Sequence, residues 1–134
     1  MYRVLIPLDD TMERAQRQAA YVTGLPDAAE SVQAIVAHAM TPEERSVPEA
    51  MQRVDRVKTV RRVIETLDEA GIDHESHELS SPPDEGILAL ADSTDVDEIV
   101  MGGRKRSPAE KVILGSVTQS VILNASVPVV VTGG

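Results

Sequence analysis

The sequence predicts an α/β fold: a five-stranded parallel sheet with helices on both faces. Three observations predict it. Short apolar runs alternate with segments of helical periodicity, in the order β-α-β-α-β-α-β-α-β. Those runs are continuous rather than strictly alternating, which marks strands buried on both faces. The chain has 134 residues, enough for one domain whose core removes roughly two-thirds of the unfolded surface from water. Residues 1–134 are therefore read as one domain.

The first strand is YRVLIPL, Tyr2 to Leu8. Asp10 and Glu13 have capping-box spacing and open a helix that ends at Gly24. The second strand is SVQAIVAHA, Ser31 to Ala39, and the polar stretch Met40 to Val47 is expected to be a mobile loop. From Pro48 to Ala70, apolar residues at Met51, Val54, Val57, Val60, Ile64 and Leu67 recur at helical spacing, with Gly71 as the stop. Ile72 to Leu79 reads as a polar strand near an edge. Pro83 to Ala91 is a short helix with proline in its first turn. DEIVM, Asp97 to Met101, is the fourth strand. Ser116 and Gln119 form a second capping box, and VPVVVT, Val127 to Thr132, is the last strand. Right-handed crossovers make such a sheet parallel, with ligands expected at the carboxyl ends of the strands where the strand order switches. That points to the residues after Leu8 and to those from Gly102 onward.

Composition bounds the function. The 22 acidic residues outweigh 13 basic ones, giving a net charge of −9. This argues against non-specific nucleic-acid binding, which depends on phosphate neutralisation. With no Phe or Trp and two Tyr, a base-stacking platform is absent as well. Arginine exceeds lysine by ten to three, a halophile-like balance suited to high internal salt, or one that simply favours solubility. There is no cysteine, as suits a reducing cytoplasm. MYRVLIPLDD turns acidic too early for a signal peptide, and no apolar run is long enough to span a bilayer. The expectation is a cytoplasmic protein. His74 and His77 fall on opposite faces of a strand and do not suggest a metal site, and His38 reads as a core histidine.

The stretch MGGRKRSPAEKVILGS, Met101 to Ser116, carries the chemistry. Gly102 permits a sharp turn and a close approach, and Gly115-Ser116 opens a helix whose free N–H groups attract an anion. A Gly-Ser helix entry also occurs in α/β proteins that bind no phosphate. Neither a P-loop nor a Gly-x-Gly-x-x-Gly fingerprint is present. Arg104, Lys105 and Arg106 put positive charge beside the helix start, serving either a phosphate or only a solvated turn. Asp9 ends the first strand, where a carboxylate can accept ribose hydroxyls or start a turn. No strained nucleophile elbow occurs.

VLIPLDDT, VDEIVMGGR and LGSVTQSVILNASVPVVVT resemble the universal stress protein family, single-domain type, over nearly the whole chain. The resemblance implies a Rossmann-like fold of the adenine nucleotide alpha hydrolase-like kind. It also implies a stress-response homodimer that binds ATP, ADP or AMP, with Mg2+ arriving on the nucleotide, and whose protein partners the sequence does not name. ATP-binding members carry Gly, two residues, Gly, nine residues, then Gly-Ser or Gly-Thr. Gly102, Gly115 and Ser116 match this pattern, and Lys105 stands at the second glycine. If that position needs a left-handed backbone, lysine costs roughly 1–2 kcal/mol there. By the same resemblance Pro7, Leu8 and Asp9 border ribose and adenine, Ala39 and Met101 flank the base, and Val117 and Thr118 contact the phosphates. The last strand, Val127 to Thr132, would pair across a two-fold axis. A member acting only as an interaction dimer without nucleotide is the alternative, and catalysis beyond slow, incidental ATP hydrolysis is not expected.

Overall fold

The computed structural model describes residues 1–40, 42–48, 52–106 and 111–133, with the side chains of residues 42–43, 104–106 and 111–113 outside the description. Strand β1 (Tyr2–Leu8) leads to helix α1 (Met12–Thr23) and the single turn α2 (Ala28–Ser31). Then come β2 (Val32–His38), the short α3 (Pro42–Arg45), a 3-10 turn at Val54–Arg56, α4 (Lys58–Glu69) and β3 (Asp73–Glu78). Helix α5 (Pro83–Ser93) precedes β4 (Glu98–Gly102), the hairpin strands β5 (Arg104–Arg106) and β6 (Lys111–Ile113), helix α6 (Ser116–Asn124) and β7 (Val129–Thr132).

Five strands form a parallel sheet in the order β3-β2-β1-β4-β7. The continuous apolar runs have the predicted cause. Along β1, Val4, Ile6 and Leu8 pack with Ala15, Ala19, Val60, Val63 and Leu67 of α1 and α4, while Leu5 faces Ile87, Ala91 and Val121 of α5 and α6. The polar β3 lies at one edge and β7 at the other.

Strand order reverses between β1 and β4, and these strands pair only at Val4–Glu98 and Leu5–Ile99. Pro7 lies just beyond and has no N–H to give a ladder. Here the strands part, and Gln18 of α1 bridges them. This fully buried side chain donates from Nε2 to the Pro7 carbonyl at 2.7 Å and to the Val100 carbonyl at 2.9 Å.

Several local expectations change. The helix expected from Pro48 begins at Lys58, because Val57 is extended (φ −68°, ψ 136°) and Val54–Arg56 is a 3-10 turn. Met51 of that segment lies outside the described residues. Its end is as expected, with Gly71 at φ 71°. Part of the expected loop after β2 is the turn α3. Neither capping box forms. Thr11 is the N-cap of α1 and makes no side-chain cap, while the Asp10 carboxylate pairs with His38 instead. Gly115 is the N-cap of α6, and Gln119 donates to the Leu114 carbonyl.

The phosphate-loop stretch is a hairpin where it is described, with Lys105 opposite Val112. Lys105 thus has strand backbone, and the left-handed penalty does not apply. Ser107 and Pro108 lie outside the described residues.

Candidate functional site

A cleft of about 350 Å³ opens at the carboxyl ends of β1 and β4, between β2 and the start of α6. It follows from the topology, since the parted strands leave a crevice that no crossover fills. Pro7, Leu8, Asp9, Ala39, Met101, Gly102, Gly115, Ser116, Val117 and Thr118 all line it. Arg104 and Lys105 are absent from its described lining, and their side chains lie outside the description.

The two matched glycines differ in what their missing side chains do. A Cβ on Gly102 would meet Arg14 Cβ and Gln18 Oε1, each at 3.2 Å, so α1 demands glycine there rather than a ligand. A Cβ on Gly115 meets nothing within 4 Å. Gly115 keeps open space at the cleft wall. The first turn of α6 has no side-chain cap, and its first intrahelical bond is Gln119 N–H to the Gly115 carbonyl at 3.0 Å. The N–H groups of Ser116, Val117 and Thr118 are therefore available to an anion, with the positive helix end behind them.

Asp10, one of the residues after Leu8 where a ligand was expected, also lines the cleft, and sequence reading missed Arg14, Gln18, His38, Leu79, Pro83 and Ile87, which line it too. Leu79, Pro83 and Ile87 add apolar wall, Leu79 and Ile87 in one cluster with Met101 and the adjoining Ala39. Arg14 pairs with Asp9 at 2.8 Å and donates to Thr11 Oγ1 at 2.6 Å. Asp9 also accepts the Thr11 N–H at 2.9 Å, so it does start the turn. The signal for Gln18 was present, since a polar residue sits on the stripe of Ala15, Ala19 and Val22.

His38 is 1% exposed. Its Nε2 lies 3.0 Å from Asp10 Oδ1, while its buried Nδ1 has no partner, so the core histidine is only half satisfied. Glu44 joins this pair, and the three potential ligand atoms lie within 4.8 Å of one another, a grouping the sequence did not suggest. His74 and His77 stay apart and pair with Asp68 and Glu75. Beside the cleft, Ser120 Oγ donates to Asp84 at 2.7 Å, which lowers that carboxyl below its usual range and ties α6 to α5. At the opposite end of the sheet, Tyr2 donates to the buried Glu98 at 2.9 Å. Burial first, then that bond, push the Tyr2 phenol up to about 12.

Among the described residues no helix is long and apolar enough to cross a membrane. The sequence profile of the Universal stress protein family matches residues 1–133. A universal stress protein of Methanocaldococcus jannaschii is 32% identical over 74 residues, covering 55% of this chain and 44% of that protein, less than half its length. The structure of a universal stress protein from Archaeoglobus fulgidus superposes with a TM-score of 0.75 at 28% identity, covering 98% of each chain. A structure of the universal stress protein from the same organism in complex with dAMP gives 0.71 at 23% identity, again over 98% of each, and at that identity attests the fold alone.

Proposed function

Since this chain belongs to the universal stress protein family, we propose that it is a regulatory protein that binds an adenine nucleotide, ATP, ADP or AMP, in the cleft at the β1–β4 switch point. The observation that carries this is the meeting of Pro7, Leu8, Asp9 and Ala39 with Gly115, Ser116, Val117 and Thr118 around one crevice. Adenine fits between Ala39 and Met101, with Leu79 and Ile87 excluding water. Ribose lies toward Asp9. A phosphate caps α6 through the N–H groups of Ser116 to Thr118, with the Thr118 and Ser116 hydroxyls beside it. Mg2+ enters with the polyphosphate.

The protein acts as a homodimer in the cytoplasm and as a binder rather than a catalyst. Support for the dimer is the edge position of β7, whose Val129 and Val131 stay partly exposed, beside α6 with Leu123 82% exposed. A nucleotide-free interaction dimer is the second reading. It is favoured by the Asp9 and Asp10 carboxylates in the cleft of a chain with net charge −9, which oppose a polyphosphate. Denaturing the purified protein and identifying released nucleotide separates the two, with the mass in solution reporting the dimer. Released ATP, ADP or AMP supports the first reading. A dimer with no nucleotide, and none taken up at millimolar concentration, supports the second.

A further inference from the structure

The carboxylate that faces the sugar is already engaged. Asp9 Oδ1 accepts the Thr11 N–H at 2.9 Å. Oδ2 accepts Arg14 Nε–H at 2.9 Å, and Nη2 of the same guanidinium lies 2.8 Å from that oxygen. Nη2 also donates to Thr11 Oγ1 at 2.6 Å, and the Arg14 stem lies over Gly102. Arg14 is thus held along its length, with its side chain 16% exposed. A carboxylate has about four acceptor positions. The Thr11 N–H takes one on Oδ1 and Arg14 Nε–H one on Oδ2, while Nη2 at 2.8 Å crowds the rest of Oδ2, so the open position is on Oδ1.

A ribose cis-diol grips a carboxylate best with one hydroxyl on each oxygen. With Oδ2 covered by the Arg14 guanidinium, only one hydroxyl finds a place. From this we infer that Arg14 is a specificity-determining residue that makes the cleft indifferent to the 2′-hydroxyl, so that ribo- and 2′-deoxyribonucleotides of adenine are taken alike. This rests on the reading of the cleft as an adenine-nucleotide site. The clamp stays closed as ligand enters. Opening it would leave Asp9 uncompensated beside Asp10 and an incoming phosphate, and Arg14 is the one arginine or lysine among the described cleft-lining residues.

Calorimetric titration of AMP and dAMP into the wild type and Arg14→Met tests it. Methionine keeps a stem over Gly102 and removes the guanidinium. The wild-type affinities for AMP and dAMP fall within about twofold of each other, and Arg14→Met shifts the ratio toward AMP by about tenfold or more, the worth of one hydroxyl–carboxylate bond. Arg14→Lys, with a point charge in place of the fork, falls between. A wild type that already prefers AMP tenfold overturns the inference, and so does a folded Arg14→Met whose ratio stays near one. The wild-type ratio decides even if the variants do not fold. Wild-type protein that takes up neither ligand overturns the nucleotide reading itself, whereas binding with the wrong ratio overturns only the role of Arg14.

Discussion

Replacing Gly102 and Gly115 separately by alanine gives opposite defects, although both glycines belong to one motif. At Gly102 the new methyl comes to 3.2 Å from Arg14 Cβ and Gln18 Oε1 and 3.3 Å from Arg14 Cδ. Ordinary carbon contacts lie at roughly 3.5–4.0 Å. Arg14 Cβ moves only with α1, and Gln18 is fixed by two hydrogen bonds. The overlap must be relieved by shifting α1 away from β4, at about 1–3 kcal/mol. For a chain of this size that lowers Tm by roughly 3–12 °C. At Gly115 the methyl enters open space, on a backbone with φ −70° that any residue adopts. Tm there stays within about 2 °C of wild type. On the proposed placement of a phosphate at the start of α6, the methyl stands in its way and nucleotide affinity falls. Thermal denaturation by circular dichroism and AMP titration of both variants provide the check. A Gly115→Ala protein as unstable as Gly102→Ala, or a Gly102→Ala protein of unchanged Tm, would refute the division of labour between the two glycines.

Gln18→Leu leaves the Pro7 and Val100 carbonyls buried without a donor, and costs about 2–5 kcal/mol in urea denaturation; an unchanged midpoint would show that water or a strand shift replaces the amide. Tyr2 and Tyr21 both ionise above their usual 10.0, Tyr2 near 12, burial being the largest cause for each. Because the folded-state value exceeds that of the unfolded chain, their contribution is complete below about pH 10 and is lost as pH rises toward 12. With two tyrosines and no tryptophan, absorbance at tyrosinate wavelengths follows them directly. Glu98→Gln lowers the Tyr2 midpoint, and a midpoint that does not move would exclude the Tyr2–Glu98 bond as a cause.

What the sequence disclosed depended on how local its cause was. Continuous runs such as VLIPL and AIVAH are buried on both faces whatever surrounds them, so the strands and their parallel order could be read. Gly102, Gly115 and Ser116 are likewise recognisable by spacing. Arg14 and Gln18 were not found, because their roles exist only once α1 lies over the parting of β1 and β4. Gln18 did break its helix's apolar stripe, which is the trace such a residue leaves. The capping boxes failed for a related reason. Spacing allows Asp10 to cap α1, but His38, 28 residues away, takes its carboxylate first. Val54 and Val57 continue the period of α4 without joining it, since periodicity does not register an extended residue at Val57.

The β1–β4 crevice is the proposed seat of an adenine nucleotide. Titrating AMP into protein freed of bound nucleotide, beside a Gly115→Val variant, tests it most directly. Saturable, one-site binding with Kd below about 1 mM is expected for the wild type, and its loss in a Gly115→Val protein whose Tm falls by no more than a few degrees. No binding by the wild type at millimolar AMP, or equal binding by the two proteins, would contradict it.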